Sequence, residues 1–459
     1  MTAALRRYAR SFTGFERDAR IYLLVTPVFG VGLSLYWVDF YLYLAALGFD
    51  RSFIGLVAAA GSAAGALTAV PVAILSDRVG RRLVLAAGSA LAAAAFAGLL
   101  FTPEPLLVMA LAALISVGYQ AFNVVAAPFL TERSRPEQRS ELFSLQAGIT
   151  NLTNVGAALV GGAFASAVAV GLGHAPDGPE AYRVLLVVMC LSTAVGAAVL
   201  LRLSDDRPRL RRSPSAAGRL RFPEARLDDP TAGDRETPGR RVGPPRGRLA
   251  SLRAWGRGAA PINQGRFARL LLPGFLISLG AGQVIPFLNL FIEGKFGLDL
   301  ASINAVFAVT SFGTFVAIMV QPALARRFGK IGSVVLVQAA SLPFLAVLGF
   351  SPILWTVIVA MAVRNSLMNA GNPVFAAFAM EQVRPAERAT LSAAMSLAWS
   401  GGWVLAGPWY SLLQRNLGFE GGYSVNFVTI IVLYSVGTFL IWWWFRGAEP
   451  RPKAVAAGG

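Results

Sequence analysis

Apolar residues gather in twelve blocks along the chain, the first at about 21–47 and the last at about 423–445. Each block is long enough for a helix to cross a bilayer core of about 30 Å. Membrane barrels are built instead from strands of about 10 alternating residues, so the length of the blocks argues against a barrel. The pattern predicts an all-α polytopic membrane protein with 12 transmembrane helices.

Composition supports this prediction and narrows the function. Hydrophobic residues make up 55% of the 459 residues and charged residues 14%, against about 25% charged residues in a typical soluble domain. The single cysteine, Cys190, lies within an apolar block, and the single histidine, His174, lies in a short loop. One thiol and one imidazole are too few for a zinc site, and a histidine in a loop leaves none for a Ser-His-Asp triad in a membrane pocket. We therefore expect no enzyme activity, no cofactor and no metal site.

Positive charge is distributed unequally between the two sides of the predicted bundle. The net charge is +17, and most of the 41 Lys and Arg residues fall on the side of the N-terminus. Loops on the cytoplasmic side of a membrane carry such an excess. We expect a multi-pass protein of the cell (inner) membrane with both termini cytoplasmic and basic loops that contact anionic lipid rather than nucleic acid. The exceptions on the outer side are Arg51, Arg183, Lys295 and Arg415.

The chain contains an internal repeat. Residues 132–139 and 381–388 both read E-x-x-R-P-x-x-R, at an offset of 249. Six helices per unit is an even number, so both units have the same orientation, as in a parallel repeat about an axis normal to the membrane. The same offset aligns residues 48–50 with 297–299, 78–81 with 327–330, and Asn123 with Asn372.

The repeat and a change of composition divide the chain into five segments. Residues 204–264 are rich in Arg, Pro and Gly and cannot bury enough apolar surface to fold alone. The predicted segments are a cytoplasmic N-terminus (1–20), an N-terminal six-helix bundle (21–203), a flexible cytoplasmic linker (204–264), a C-terminal six-helix bundle (265–446) and a cytoplasmic tail (447–459).

Residues 77–82, Asp-Arg-Val-Gly-Arg-Arg, follow helix 2. With twelve spans, a six-plus-six repeat and a long central loop, this motif resembles the major facilitator superfamily over about residues 20–446. The resemblance implies secondary transport by alternating access. The chain departs from the family at four positions. The family's full loop motif has Gly where this chain has Ala73, and Arg326 replaces the Asp of the motif in the second half. The family's functional helix-4 Arg aligns near Ile115, and its antiporter motif has Pro where this chain has Ala157.

The resemblance also implies that the arginine-rich loop acts as a conformational latch. Its arginines are expected to pair with carboxylates at the ends of helices 4 and 10, and Gly80 is expected to allow the tight turn between helices 2 and 3. The latch residues are expected to be Asp77, Arg78, Gly80, Arg81, Arg82, Glu132, Arg139, Glu381 and Arg388.

Ionisable residues at membrane depth are the leading candidates for substrate or proton binding. Asp39 lies in helix 1 and Glu293 near the outer end of helix 7, whereas Arg364 lies close to the middle of helix 10. Such groups are costly in the membrane unless they face a cavity, a partner or a ligand. A structural ion pair or contact with water near the surface is the alternative for each.

Helices 1, 4, 7 and 10 line the central cavity in the family, so their polar and aromatic residues are further candidates. Pairs at i, i+3 share one helix face, and packing between helices is the alternative role for each amide. These candidates are Tyr36, Trp37, Tyr119, Gln120, Asn123, Gln283, Asn289, Asn365, Asn369 and Asn372.

Together these features favour a secondary transporter, expected to act as a monomer on a small-molecule substrate. The first hypothesis is antiport, with efflux of a drug-like amphiphile or sugar against protons through Asp39. The second is a symporter or facilitator that imports an anionic metabolite held by Arg364. A hypothesis of another class is a transporter-like membrane sensor that signals through the 204–264 linker.

Overall fold

The computed structural model describes residues 14–101, 104–134, 138–204, 264–384 and 387–447. The predicted linker lies outside these residues except for Ser204 and Gln264. Residues 1–13 and 448–459 of the predicted terminal segments also lie outside them.

In the part of the chain that the structure describes, the N-terminal half has six helices. α1 packs against α5 and α6, and α4 packs between α2 and α3. Aromatic rings join α1 to α4, where Phe29 and Phe122 stack with centroids 4.1 Å apart. The six helices are α1 (Arg17–Ala46), α2 (Arg51–Val79), α3 (Arg81–Leu99), α4 (Pro105–Glu132), α5 (Arg139–Gly171) and α6 (Pro179–Leu200).

The C-terminal half repeats this packing with one interruption. α11 packs between α9 and α10, as α4 packs between α2 and α3, and α7 packs along α12. The elements are α7 (Gln264–Val284), a 3₁₀ turn (Ile285–Phe287), α8 (Leu288–Phe296), α9 (Leu300–Phe328), α10 (Lys330–Phe350), α11 (Leu354–Glu381) and α12 (Arg388–Phe445).

The described residues confirm the predicted fold class, because their regular structure is helical and includes no strand. Within the described ranges, ten helices are long and apolar enough to cross a membrane, with α7 and α8 counted as one. α12 has 58 residues and bends at Gly418 (φ 67°, ψ −164°), so it is long enough for two crossings. With α11 as a further crossing, the geometry is consistent with twelve.

Helix boundaries follow the 249-residue offset. α2 and α9 have 29 residues each, and α4 and α11 have 28 each. The side chains of Asp50 and Asp299 cap α2 and α9 by accepting hydrogen bonds from the backbone N–H three residues later. Gly80 and Gly329 end the same helices with φ of 103° and 77°, which favours glycine. The repeated sequence therefore produces repeated turns.

The halves differ at the seventh predicted span. The sequence predicts one continuous helix there, but the structure breaks it at the 3₁₀ turn Ile285–Phe287. Pro286 lies within this turn and has no N–H to continue the helical ladder. α1 has no such break at the equivalent position. The break places Asn289 where its side chain donates a hydrogen bond to the backbone oxygen of Val38 in the other half.

Candidate substrate cavity

Contacts that join the two halves cluster at the end of the bundle where Gly48 and Gly297 lie, which we call the closed end. The hydroxyl oxygens of Ser52 and Ser411 are 2.8 Å apart. The rings of Trp37 and Trp403 meet edge to face at 5.7 Å, and the guanidinium of Arg51 lies 4.7 Å from the centre of the Phe419 ring. Ion–ring and ring–ring contacts of this kind stabilise an interface.

Glycine brings α2 and α12 into close contact at this end. A Cβ atom at Gly55 would lie 3.0 Å from the backbone oxygen of Gly407, and one at Gly407 would lie 2.7 Å from Cβ of Ala59. Both distances are too short for a side chain without movement of one helix. The absence of side chains at Gly55 and Gly407 is thus a condition for closure here.

At the opposite end, the ion pairs lie within each half. Arg81 Nη2 is 2.6 Å from Glu132 Oε1, and at the repeat-equivalent positions Lys330 Nζ is 2.5 Å from Glu381 Oε1. Each pair ties the turn after the second helix of its half to the end of the fourth. We call this the arginine end.

The other predicted latch residues lie at the arginine end as well. Asp77 is exposed, and one of its oxygens lies 3.7 Å from Arg81. Arg78 is exposed, Gly80 is buried in the turn, and Arg82 is partly buried. The side chains of Arg139 and Arg388 lie outside the described part of the chain.

A cavity of about 470 Å³, the central cavity, lies between α1, α2 and α4 on one side and α7 and α12 on the other. Its volume is in the range of ligand-binding pockets, about 300–1,000 Å³. Hydroxyl and amide groups come from residues such as Ser62, Ser116 and Gln120. Among the described residues, none that lines this cavity carries a charged side chain. Its aromatic lining comprises Tyr36, Trp37, Tyr41, Tyr119, Trp399 and Trp403.

Five predicted residues line the central cavity: Tyr36, Trp37, Tyr119, Gln120 and Asn123. All five come from the N-terminal half. The C-terminal half contributes instead through residues that the sequence did not single out, including Trp399 and Trp403 of α12. The sequence feature that could have identified these residues is tryptophan within a glycine-rich helix.

Asp39 lies at the closed end rather than in the cavity lining. Its side chain is 1% exposed, and Oδ1 accepts a hydrogen bond of 2.7 Å from Asn304 Nδ2 in the other half. Oδ2 is buried without a hydrogen-bond partner among the described residues. Gly162 of α5 gives Asn304 its space, since a Cβ there would lie 2.9 Å from the Asn304 side chain. Sequence reasoning missed Asn304 because it considered helices 1, 4, 7 and 10 alone.

Arg364 is also buried away from the central cavity, with 2% exposure. Its guanidinium donates hydrogen bonds of 2.7 Å to the Tyr434 hydroxyl and 2.6 Å to Asn365 Oδ1. It lies 5.3 Å from the centre of the Tyr434 ring. The groups identified around this cation are therefore neutral, and it is placed between α11 and the second part of α12.

The remaining predicted residues are dispersed. Gln283 and Asn289 are buried near the break between α7 and α8, and Glu293 lines a separate cavity at the closed end. Asn369 is exposed and donates to the backbone oxygen of Asn365. Asn372 lines a second cavity within the C-terminal half. Within the described residues, no group of three or more His, Cys, Asp or Glu side chains could hold a metal ion.

Two pseudo-equivalent helical halves around an aromatic cavity, closed at one end, are the arrangement expected of a membrane transporter. The sequence profile of the Major Facilitator Superfamily matches residues 22–407. The chain belongs to this superfamily, so it is a secondary transporter and not an enzyme.

Solved structures share the fold. The chain is similar to the nucleoside transporter NupG with a TM-score of 0.70 and 12% identity, over 94% of this chain and 100% of that one. A bacterial homologue of the human lysosomal transporter Spinster, in an inward-facing and occupied conformation, gives 0.65 and 15%, over 93% and 96%. A D-xylose–proton symporter gives 0.67 and 12%, over 95% and 99%. At these identities the likeness concerns the fold alone. No curated protein matches the chain in sequence.

Proposed function

We propose that this transporter exports a drug-like amphiphile or a sugar across the cell membrane in exchange for protons. The observation that supports it most directly is the central cavity, which combines aromatic rings with amides and hydroxyls and has no charged lining residue among those described. Aromatic surface suits an apolar or ring-shaped substrate, and the polar groups can orient it. Burying a charged substrate without a counter-charge would be costly.

The closed end and the charge distribution together support the proposed export direction. The arginine end carries the excess of Lys and Arg and is therefore assigned to the cytoplasm, together with both termini. Contacts between the halves gather at the outer end, so the central cavity is accessible from the cytoplasm. This is the state in which an exporter loads its substrate. We propose that one chain suffices, because each half supplies walls to the same cavity.

Asp39 is the proposed proton carrier. It is buried against Asn304 while the outer end is closed, and opening that end would separate α1 from α9 and admit water to the carboxyl group. A carboxyl group is much less costly to bury when it is neutral. Proton uptake from outside would therefore favour closure, which returns the cavity to the cytoplasmic side.

The test uses purified protein in liposomes with a drug and sugar panel. Asp39→Asn is expected to abolish substrate-driven proton movement while substrate exchange without net flux persists, because the isosteric amide can still occupy the buried position. Glu293→Gln, a carboxyl change at the same end in the other half, is the matched control and should leave coupling intact. Full coupling in Asp39→Asn would eliminate this role, and loss in the control alone would transfer it to Glu293.

The import hypothesis for an anionic metabolite has weaker support. Arg364 would be its anchor, but this side chain is 2% exposed and hydrogen-bonded to Tyr434 and Asn365. Saturable anion uptake that disappears in Arg364→Gln would favour import over export. The sensor hypothesis depends on the 204–264 linker, and deletion of residues 210–250 without loss of transport would count against it.

A further inference from the structure

A second cavity, of about 370 Å³, lies inside the C-terminal half between α7, α11 and α12. We call it the side cavity. Its walls are mainly apolar, and a few polar groups, such as Asn372, lie among them. Its volume is in the range of ligand-binding pockets, about 300–1,000 Å³. The apolar walls include Leu270, Ile277, Phe375, Met380, Met395 and Ile441.

The side cavity adjoins the central cavity at Trp399 of α12. Trp399 lines both cavities, while its neighbours Ala398 and Ser400 line the side cavity and the central cavity respectively. The hydroxyl of Ser278 in α7 donates a hydrogen bond to the backbone oxygen of Trp399, which fixes this point of α12 against α7. A ligand that contacts the Trp399 side chain from both cavities would occupy both spaces.

The two cavities differ in the chemistry that they offer. The central cavity presents Ser62, Gln120 and Asn123 without charge, which suits an uncharged polar head. The side cavity presents flexible thioethers, Met380 and Met395, which adapt to aliphatic chains of differing shape. A compact sugar would leave the side cavity empty.

We propose that the transporter binds a single-chain amphiphile, with its uncharged polar head in the central cavity and its aliphatic tail in the side cavity. This inference rests on the proposed export function and narrows its substrate class. It also explains why the halves contribute unequally: the aromatic N-terminal wall holds the head, and the C-terminal half receives the tail.

Gly274 of α7 offers a way to fill the side cavity alone. It lines that cavity, and a Cβ atom at this position would meet no atom within 4 Å. Gly274→Leu should thus project into the space intended for the tail without disturbing its neighbours. Gly171, at the closed-end terminus of α5, also has nothing within 4 Å of a Cβ and lies outside both cavities. Gly171→Leu is the matched control.

The experiment measures binding of tritiated methyl, butyl, hexyl and octyl glucosides to the full chain in nanodiscs, below their critical micelle concentrations and with empty nanodiscs subtracted. The unaltered chain should bind about fourfold more tightly for each methylene group buried. Gly274→Leu should abolish this increase and leave methyl glucoside affinity unchanged. Gly171→Leu should behave as the unaltered chain.

Several outcomes would overturn the proposal. The same dependence on tail length in Gly274→Leu would mean that the tail lies elsewhere, for example in lipid. No binding of any glucoside would exclude this substrate class, yet drug-driven proton movement in liposomes would still support export. Tighter binding of octyl sulfate or octyltrimethylammonium than of octyl glucoside would contradict the uncharged head.

Discussion

The two halves of this transporter meet at the closed end through two interfaces that the repeat relates, and their chemistry differs. α2 contacts α12 through Gly55 and Gly407, where backbone lies against backbone. The repeat offset carries Gly55 to Asn304 and Gly162 to Ser411. At the second interface, between α9 and α5, Asn304 fits against Gly162 and reaches Asp39. One interface thus provides close packing, and the other places a buried carboxyl group between the halves.

The same contrast recurs where each half departs from the repeat. Asp39 corresponds to Leu288, and Arg364 corresponds to Ile115. All four side chains are 2% exposed or less. Equivalent helix positions therefore hold a buried apolar residue in one half and a buried ionisable residue in the other. Burial of the ionisable residue costs free energy unless it is paired, whereas burial of the apolar residue does not. Shared positions therefore define the shape of the bundle, while the departures carry its candidate chemistry.

The largest effect is expected from a side chain placed in the glycine interface. Gly407→Leu should prevent closure, because its Cβ would lie 2.7 Å from both Ala59 Cβ and the backbone oxygen of Gly55. Overpacking costs about 1–3 kcal/mol, which shifts a conformational equilibrium by about 5- to 150-fold. Transport should fall accordingly. Disulfide formation between Ser52→Cys and Ser411→Cys, in a Cys190→Ala background, measures closure.

Gly401→Leu is the control on the same helix, since the nearest atom to its Cβ would be Phe275 Cε2 at 3.8 Å. It should retain the disulfide and transport. Efficient cross-linking in Gly407→Leu would show that the glycine interface tolerates a side chain, and the contrast between the two interfaces would lose its basis.

The sequence was sufficient for the repeated part of the molecule. Length, hydropathy and the 249-residue offset predicted the helical class, the two halves and the turns at Gly80 and Gly329. The family resemblance added five residues of the central cavity, because it indicated which helices line the cavity and their polar and aromatic residues could then be selected. The contacts that cross between halves were missed, since Asn304 becomes a partner of Asp39 only when α9 and α1 are packed together.

The position of Arg364 shows the same limit. A cation at membrane depth indicated a ligand site, but Tyr434 lies 70 residues further along the chain and its hydroxyl accepts a hydrogen bond from the guanidinium. Nothing in the local sequence predicts this pairing. The broken helix at Ile285–Phe287 is a comparable case, because proline within a membrane helix is tolerated with or without a break.

A medium effect on stability is expected from variants that remove the buried cation of Arg364 or its hydrogen-bond acceptor. The counterpart of Arg364 in the other half, Ile115, is apolar. Tyr434→Phe removes an acceptor and leaves a guanidinium N–H unsatisfied, which should destabilise the fold by about 1–3 kcal/mol. Arg364→Met should cost less, since a buried charge is often replaceable by an apolar residue of similar size. The double variant should recover most of the loss due to Tyr434→Phe. Thermal unfolding in detergent measures all three.

Transport of an uncharged substrate should survive in Arg364→Met if the cation is structural. If instead Arg364→Met unfolds the protein and Tyr434→Phe has no effect, the hydrogen bond is not what stabilises the buried guanidinium. Groups other than Tyr434 would then have to stabilise the guanidinium, and the difference between Arg364 and Ile115 would reflect function rather than packing.

The smallest effect is expected where the halves agree, at the two ion pairs of the arginine end. Glu132→Gln removes the carboxylate 2.6 Å from Arg81, and Glu381→Gln removes the carboxylate 2.5 Å from Lys330. The glutamate side chains are 58% and 54% exposed, and solvent-exposed pairs contribute about 0–1 kcal/mol. Each variant should therefore leave thermal stability nearly unchanged, and the two should shift it by similar amounts. A much larger loss in one of them, measured side by side in the same detergent, would mean that its loop has a task that the repeat does not share.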